Sequence, residues 1–581
     1  MLERIVSFLN DLIANAGINI GDERLPFMVI ALLGTGLYLT IRLGFIQLRR
    51  IGHGFAVTSG KYDDPDEPGD VPHFQALTTA LSATVGIGNI AGVAIAIHWG
   101  GPGALFWMWV TALLGMAVKY SEVTLAQEYR VVEDSGGRLV GTVSGGPMYY
   151  IERGLGKHWK WLAVFFAIML GFTAFLTGNA VQANTVADTM KTEFAIPVWI
   201  TGIFTSIIVA AVVLGGIQRI GRVTSILAPV MAAVYVLGAV TVILMHFDQF
   251  LPSLSLIVHE AFNPTAGVAG STIGAILMTM LWGVKRGLFS NEAGQGSAPI
   301  AHAAAKTDEP VSEGVVALLE PFIDTLVICT MTGLVLVMTG TWNQKIPTAL
   351  EMSGGDLSYV AQQANGKIER VGGAAALAAL PNAPQTLRVE SGIPAGGVGV
   401  WRFAWQDVAV DTFFVDAAQT IPFTGEIHPT AGNATDDNGQ TYTTLYGSAP
   451  ENGAPLTMLA FREGLPGTWG RFIVLFGVLT FAISTAISWS YYGDRCANYL
   501  FGAKAILPYK LVFVLMHFFG AIVSLQVIWD MGDVALAIVI LPNLLALLLL
   551  SGKVKQLTDS YFQRKPWIAN YEKRMAAKKG G

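Results

Sequence analysis

The chain has 581 residues, of which 52% are hydrophobic and only 13% are charged. Soluble proteins carry about 25% charged residues. The mean hydropathy of +0.52 covers the whole length, which predicts a polytopic membrane protein. The net charge of −5 comes without a basic stripe of interleaved aromatic residues, so no nucleic acid partner is expected. Cys329 and Cys496 are too few for a disulfide framework or a zinc cluster.

The N-terminal residues 1–25 are predicted to form an amphipathic segment at the membrane interface. Glu3 and Asp11 interrupt its apolar residues, unlike the apolar core of a cleaved signal peptide. A membrane span needs about 20 mostly apolar residues. Eleven segments meet this length, at roughly 26–46, 73–98, 102–127, 160–188, 196–215, 223–246, 268–299, 312–340, 468–492, 505–524 and 529–550.

Lysine and arginine are concentrated in alternate short loops. Arg49, Arg50 and Arg130 lie in one set of loops, whereas 247–267 and 525–533 contain neither residue type. Because cytoplasmic loops carry the excess of basic residues, we expect an external N-terminus and a cytoplasmic C-terminus in the cytoplasmic (plasma) membrane. The basic residues 551–581 then form a cytoplasmic tail.

The segment 341–465 differs from the rest of the chain. It is polar, and runs such as GVGVWRFAWQDVAVDTFFV alternate between apolar and polar residues. Alternation favours strands. We therefore predict a small β-rich extracytoplasmic insertion, which acts either as a lid or as a loop without a role in transport.

Two of the predicted spans are interrupted by glycines and polar residues. The second contains SATVGIGNIAGVA, and the seventh contains WGVKRGLFSNEAGQGSAP. Unwound backbone survives in lipid only where it lines a cavity or binds a ligand. A single glycine cluster also fits close helix packing. Two polar breaks five spans apart instead favour the inverted repeats of secondary transporters.

The predicted architecture is accordingly an all-α integral membrane protein with two inverted repeats of five spans. The first repeat covers 73–246, and the second covers 268–340 and 466–550. The span 26–46 is an extra N-terminal helix.

Five long motifs occur in order and carry a family resemblance. They are GGPGALFWMWVTALLG, GTVSGGPMYYIERGLG, GNAVQANTVAD, RGLFSNEAGQGSAP and STAISWSYYGDRCANYLFG. The chain resembles the alanine or glycine:cation symporter family outside 341–452 and the terminal tails. The resemblance implies a leucine-transporter-like fold that moves small amino acids with sodium, and in some members with protons.

The resemblance also implies a substrate site between the two breaks. Backbone amides at Gly86 and Gly88 are expected to hold the substrate carboxylate, with Thr84 beside them. Other residues would line or cap the pocket or hydrogen-bond the ligand, namely Phe289, Asn291, Trp489 and Gln182. For Gln182 the alternative is an interhelical hydrogen bond. Glycines at both breaks, with Phe289 and Trp489, predict a small substrate.

In that fold, two adjacent hydroxyls and a carbonyl three residues earlier serve one sodium ion. Ser484, Thr485 and Phe481 have this spacing. Carbonyls of Ser82 and Val85 on the broken helix would complete the oxygen ligands. The alternative is that Ser484 and Thr485 bond back to carbonyls of their own helix.

Four further polar residues in the predicted spans are candidates for a second cation site or a gate: Asn89, Glu292, Asp324 and Arg286. Asp324 either neutralises a cation or forms a structural ion pair opposite Arg286. Glu292 is expected to cap the second half-helix.

The sequence thus predicts a sodium-coupled importer of alanine or glycine rather than an enzyme, with no cofactor, nucleic acid or nucleotide. A proton-coupled carrier or an exchanger on the same fold is the nearest alternative, with Asp324 or Glu292 as proton carrier. No Walker A loop or G-x-S-x-G elbow is present, and the nine histidines are scattered.

Overall fold

The computed structural model describes residues 16–20, 23–64, 66–132, 143–264, 272–353, 357–362, 368–372, 377–378, 380, 384–405, 408–523 and 525–580. These residues are mostly helical, and a β-rich segment interrupts the helices late in the chain. A single large core of apolar side chains joins the helices, and a second, smaller core lies within the β-rich segment.

The helices follow in chain order. They are α1 (Phe27–Arg42), α2 (Ile46–Thr58), α3 (His73–Thr84), α4 (Ala91–Gly100), α5 (Gly103–Glu128), α6 (Pro147–Gly154), α7 (Lys160–Phe175), α8 (Val181–Phe194), α9 (Val198–Val213), α10 (Gly216–Met245), α11 (Phe250–Glu260), α12 (Thr272–Asn291), α13 (Ala298–His302), α14 (Pro310–Ala317), α15 (Leu319–Pro321), α16 (Thr330–Met338), α17 (Gly453–Gly464), α18 (Gly470–Phe501), α19 (Ile506–Ile522), α20 (Leu525–Arg564) and α21 (Trp567–Gly580). Wider π-helical turns at Leu176–Ala180 and Phe322–Cys329 join α7 to α8 and α15 to α16.

Helices occupy all eleven predicted positions, although their lengths vary. Among the described residues, seven helices are long and apolar enough to cross a membrane, or up to nine when each bent pair counts as one span. Val198–Val213 has only 16 residues, which is short for a crossing. The chain is therefore a multi-pass membrane protein, and the count of eleven crossings stays a prediction.

The break in the second predicted span is visible as a bend of 59° between His73–Thr84 and Ile87–Gly100. In the seventh predicted span, α12 ends at Asn291 and α13 begins only at Ala298. Residues 265–271 lie outside the described residues. The two breaks lie against each other, since a Cβ on Gly88 would come within 3.3 Å of the Ser290 Cα.

Eleven strands lie among the described residues of the predicted insertion. They are β5 (Lys345–Glu351), β6 (Leu357–Gln362), β7 (Ile368–Gly372), β8 (Leu387–Glu390), β9 (Ile393–Pro394), β10 (Arg402–Trp405), β11 (Val408–Ala409), β12 (Gly425–His428), β13 (Asn433–Asp436), β14 (Thr441–Tyr442) and β15 (Thr444–Pro450). They form antiparallel sheets in the orders β11-β10-β6-β7, β14-β13-β12-β8-β9 and β15-β5. The last of these strands ends at Pro450, and the remainder of the predicted insertion contains α17, a helix whose apolar side chains join the helical core.

The described residues at both ends of the chain have regular structure that the sequence does not predict. Of the predicted amphipathic segment, residues 1–15 lie outside the described residues. Its described part forms an antiparallel hairpin of β1 (Gly17–Ile20) and β2 (Glu23–Pro26) instead of a helix. A second short hairpin pairs β3 (Val131–Val132) with β4 (Val143–Ser144). The basic tail is helical and comprises the end of α20 and the whole of α21.

Candidate substrate and cation site

A small pocket lies where the two breaks meet. The space between its walls, including the open mouth, is about 280 Å³. Its walls come from both broken spans and from the helices around α7, α18 and α20. They are formed by Ala83, Thr84, Gly86, Gly88, Thr177, Gln182, Phe289, Glu292, Gln295, Thr485, Trp489 and Leu536.

Six of the seven predicted substrate residues line this pocket: Thr84, Gly86, Gly88, Gln182, Phe289 and Trp489. Asn291 does not. Its Oδ1 accepts from the Ala293 amide at 3.0 Å, and its Nδ2 donates to Thr325 Oγ1 at 3.3 Å. The side chain of Asn291 therefore stabilises the turn behind the pocket wall.

The first break needs glycine because other groups approach its backbone closely. A Cβ on Gly86 would lie 2.6 Å from Thr485 Oγ1, and one on Gly88 would lie 3.1 Å from the Phe289 ring. The Gly86 amide donates to Asn89 Oδ1 at 2.9 Å. In this conformation the Gly86 N–H is therefore already bonded to Asn89. It is one of the two backbone amides that were predicted to hold the substrate carboxylate.

The second break turns on three residues with left-handed backbone. Glu292 has a φ of 56°, Gly294 of 86° and Gly296 of 75°. This conformation costs a residue with a side chain about 1–2 kcal/mol. Hydrogen bonds hold Glu292 there, because Ser297 Oγ donates to its Oε2 at 2.5 Å and Trp489 Nε1 donates to its Oε1 at 2.8 Å. The Glu292 carboxylate therefore faces the pocket and bonds with α18.

Gln295 is a pocket residue to which the sequence assigned no role. Its Nε2 donates to the Leu288 carbonyl at 3.1 Å, while its buried Oε1 accepts no hydrogen bond from the residues that the structure describes. A buried acceptor of this kind is costly unless a ligand or water donates to it. Glu292 and Gln295 together give one wall of the pocket the acceptors that an ammonium group needs.

Thr177 in the π-helical turn and Gln182 at the start of α8 also line the pocket. Gln182 Nε2 donates to the Thr177 carbonyl at 3.1 Å, and its Oε1 lies 3.5 Å from the Ile87 amide at the first break. The predicted interhelical bond is therefore long and weak, and it leaves the amide group beside the pocket. Periodicity alone does not reveal a π-helical turn, so Thr177 was missed.

The predicted cation ligands lie beside the pocket at Thr485. Its Oγ1 donates to the Ser82 carbonyl at 3.1 Å. Ser484 Oγ is 3.3 Å from the same carbonyl and 2.9 Å from the Phe481 carbonyl. Four of the five predicted ligands are thus gathered, and the expected bond of Ser484 back to its own helix is also present.

Val85 is the fifth predicted cation ligand. It ends α3, and its ψ of 84° takes its carbonyl out of the helical direction. The hydroxyl of Ser82 accepts and donates no hydrogen bond within the described part of the chain. Hard cations favour such an oxygen-rich donor set.

Asp324 lies behind the pocket and connects the two breaks. Its Oδ1 accepts from Asn89 Nδ2 at 2.6 Å, and its Oδ2 accepts from Ser290 Oγ and Thr325 Oγ1, each at 2.7 Å. These three donors are neutral. These donors satisfy the carboxylate, and its predicted pairing with Arg286 stays a prediction.

Arg286 instead packs against aromatic rings. Its guanidinium lies 5.4 Å from the centre of the Trp282 ring and 5.8 Å from that of Phe289. Cation–π contacts of this length are attractive. Arg286 therefore supports a residue of the pocket wall and does not line the pocket itself.

The family model of the sodium:alanine symporter family matches residues 8–368 and 407–575. The chain belongs to this family. Its members are transporters, so the protein is a transporter and not an enzyme, which confirms the prediction. The unmatched residues 369–406 lie within the β-rich segment.

Three relatives show how far the similarity extends. The sodium/alanine symporter AgcS of Methanococcus maripaludis is 39% identical over 92% of this chain and 94% of its own. The uncharacterized transporter YflA of Bacillus subtilis is 33% identical over 92% and 91%. The amino-acid carrier protein AlsT of the same species is 29% identical over 96% and 93%. The protein is accordingly a cation-coupled amino acid transporter of the multi-pass membrane type.

Proposed function

We propose that this symporter-family protein imports a small neutral amino acid, alanine or glycine, together with sodium, by alternating access. The observation that carries the proposal is the position of Thr485. It lines the pocket between the breaks and also bonds the Ser82 carbonyl in the cluster of cation-type oxygens. One residue would therefore contact both ligands, which gives a direct route for coupling between them.

The pocket has complementary ends for an amino acid zwitterion. Glu292 and the unsatisfied Gln295 Oε1 provide acceptors for the ammonium group. Gly88 and the side-chain amide of Gln182 lie on the side of the first break, where donors suit the carboxylate. Gly86 joins them when Asn89 releases its amide.

Two aromatic rings limit the side chain of the substrate. Phe289 and Trp489 both line the pocket. A long side chain would have to displace one of these rings, which favours a substrate whose side chain is a methyl group or a hydrogen. The name of the 39% identical relative, a sodium/alanine symporter, supports the same substrate class.

Sodium is the proposed coupling ion, bound by Ser82, Val85, Phe481, Ser484 and Thr485. When the ion binds, the hydroxyls of Ser484 and Thr485 turn their oxygens toward it instead of donating to carbonyls. The donor set consists of neutral oxygens, which suits a monovalent hard cation.

The proposed architecture is the leucine-transporter-like arrangement of eleven spans. The repeats 73–246 and 268–340 with 466–550 each contribute one broken span, and the β-rich segment lies outside the cell. The asymmetry of lysine and arginine supports an external N-terminus and a cytoplasmic C-terminus in the plasma membrane.

Uptake into proteoliposomes tests the proposal. We expect radiolabelled alanine or glycine to accumulate under an inward sodium gradient and not under potassium or proton gradients. Thr485→Ala should raise the sodium concentration for half-maximal uptake about 10-fold or more, because bonds to charged groups contribute about 1.5–3 kcal/mol. The amino acid concentration for half-maximal uptake should change less than the sodium concentration does.

Thr480→Ala is the matched control. Thr480 lies on the same helix, and its hydroxyl bonds only to carbonyls of that helix. The Thr480→Ala variant should need the same sodium concentration for half-maximal uptake as the wild type. Uptake without sodium dependence would refute the cation site, and absence of alanine and glycine uptake with every ion would refute the substrate.

A proton-coupled carrier is the second candidate, and Asp324 favours it. This fully buried carboxylate bonds with groups at both breaks, so its protonation would reach both. Accumulation driven by a proton gradient alone, and abolished in Asp324→Asn, would support this alternative.

A further inference from the structure

A cluster of ionisable side chains lies inside the helical domain, away from the pocket walls. It joins five helices, because His73 belongs to α3, Lys119 to α5, His302 to α13, Glu313 to α14 and Glu320 to α15. His73 is 3% exposed, and the other four are fully buried. We call these five residues the buried charge cluster.

His302 lies between two carboxylates. Its Nδ1 is 2.5 Å from Glu313 Oε1, and its Nε2 is 2.7 Å from Glu320 Oε1. The second oxygen of each carboxylate is also engaged. Glu313 Oε2 bonds with His73 Nδ1, and Glu320 Oε2 accepts from Lys119 Nζ at 3.2 Å.

This geometry fixes the number of protons. A neutral imidazole has one N–H donor and one acceptor, while an ionised carboxylate only accepts. Two carboxylates that face both nitrogens of His302 therefore require N–H groups at both. His73 faces Glu313 with one nitrogen only, so a neutral ring satisfies that bond.

The charge balance leads to the same count. Two carboxylates carry two negative charges, and Lys119 supplies one positive charge. A proton on His302 makes the cluster neutral, whereas its absence leaves one buried charge uncompensated. Such a charge costs several kcal/mol.

The groups around His302 come from each element that packs against it. His73 is coupled to Asp63 and Glu67 in the loop before α3, and Arg130 is coupled to Glu313 from the end of α5. Further groups coupled to the cluster are Glu122 on α5, Glu292 at the second break and Tyr492 on α18. Most of these groups are acidic, so they favour the extra proton rather than oppose it.

The cluster lies where the two broken spans are tied together. The Asp70 and Val71 amides just before α3 both donate to the Ala304 carbonyl just after α13, at 2.8 Å and 3.1 Å. The Arg130 guanidinium donates to carbonyls on both sides of this junction, those of Pro68, Ala303, Ala305 and Thr307. The span Pro310–Met338 begins at this junction and ends at the β-rich segment. The junction and the β-rich segment therefore lie at opposite ends of that span.

We propose that His302 is a proton-binding site, held as an imidazolium between Glu313 and Glu320, and that this proton fastens the two broken spans at their junction. The bound proton supplies the second N–H of the bridge. Its loss leaves two carboxylates facing a ring that can donate to only one of them. The inference concerns the folded chain and does not depend on which amino acid is transported.

Stability as a function of pH tests the site on the purified full-length protein. An unfolded chain releases a histidine proton above about pH 6.5. The folded wild type keeps the proton of His302, so its melting temperature should fall as pH rises from about 6.5 to about 9. His302→Gln should remove the equivalent of one proton from this slope, because glutamine offers one donor and one acceptor but does not titrate.

His158→Gln is the matched control. His158 lies in the exposed turn Lys157–Trp159 and is not part of the cluster, so this variant should keep the melting temperature and the slope of the wild type. The proposal is overturned if His302→Gln keeps that slope, or if His158→Gln alone removes it.

A second measurement does not require the variant to fold well. The ¹⁵N chemical shifts of histidine ring nitrogens distinguish an imidazolium from a neutral tautomer. In the wild type near pH 7.5, one histidine should show two protonated nitrogens and resist deprotonation while exposed histidines titrate. Only neutral buried rings at that pH would overturn the assignment.

Discussion

Gly178→Ala is expected to reduce substrate affinity by moving Trp489. Gly178 lies in the π-helical turn Leu176–Ala180, directly beneath the indole of Trp489. A Cβ at this position would be 2.5 Å from the Trp489 Cβ and would overlap Cγ and Cδ2 of the ring. Real Cβ atoms do not approach other atoms so closely, so the indole or the turn has to shift.

The size of the effect follows from two contributions. Overpacking of a well-packed site costs about 1–3 kcal/mol. A shifted indole also loses the bond from Nε1 to Glu292, and bonds to charged groups contribute about 1.5–3 kcal/mol. If about 2 kcal/mol of this falls on the bound state, the affinity drops roughly 30-fold. The loss should be larger for alanine than for glycine, since the displaced ring narrows the pocket.

Half-maximal uptake concentrations for glycine and alanine in proteoliposomes measure this effect. Gly171→Ala is the control, because a Cβ on Gly171 would meet only the Cys496 Cβ at an ordinary 3.5 Å. Equal behaviour of Gly178→Ala and Gly171→Ala would refute the packing argument. Equal losses for both substrates would refute the narrowing of the pocket.

Three other changes test separate parts of the molecule. Asp324→Asn should lower stability by about 1–3 kcal/mol, because an amide nitrogen would face a donor that one of the two carboxylate oxygens now accepts from; the melting temperature measures this. Trp489→Phe should weaken substrate binding about 5-fold or more by leaving the Glu292 carboxylate short of a donor, and uptake kinetics measure it. Replacement of 346–449 by a two-residue turn should preserve sodium-driven uptake, because Lys345 and Pro450 are paired across β5 and β15; loss of uptake in a folded variant would assign the β-rich segment a role in transport.

The breaks could be predicted from the sequence because their cause is local. Polar side chains within a cluster of glycines are unusual inside an apolar run, and the structure has the bends at Val85–Gly86 and beyond Asn291. The predicted pairing of Thr485 with the Ser82 carbonyl is also present. Whether sodium binds there stays a prediction.

The buried charge cluster was not predictable in the same way. In the sequence, Glu320 and Lys119 are each a single charge within an apolar span. Hydropathy averages a residue with its neighbours in the chain, so it does not show that these two charges pair. Their compensation depends on His302 and Glu313, which approach from other helices. Only the contacts between helices show whether such a charge lies at the end of a span or is neutralised by partners in the interior.

Two further features also depend on contacts between helices. The pairing of Asp324 with Arg286 was inferred from charge alone, whereas three neutral donors from two breaks already satisfy the carboxylate. The helix Gly453–Gly464 follows a polar β-rich segment, so composition placed it there although its apolar face packs in the helical core. Composition averages over a segment and does not find a boundary within it.

The helix α18 explains how the two ligands of the proposed symporter act on each other. Thr485 bonds with the Ser82 carbonyl at the first break, and Trp489, one turn later, bonds with the Glu292 carboxylate at the second. A cation would bind Ser82 and Thr485 together at the first break, and a substrate ammonium would join Trp489 as a second donor to the Glu292 carboxylate. Each ligand would therefore strengthen a different attachment of the same helix, so the conformation favoured by one lowers the cost of binding the other. A coupling free energy of about 1–3 kcal/mol, reciprocal by thermodynamic necessity, is the expected consequence.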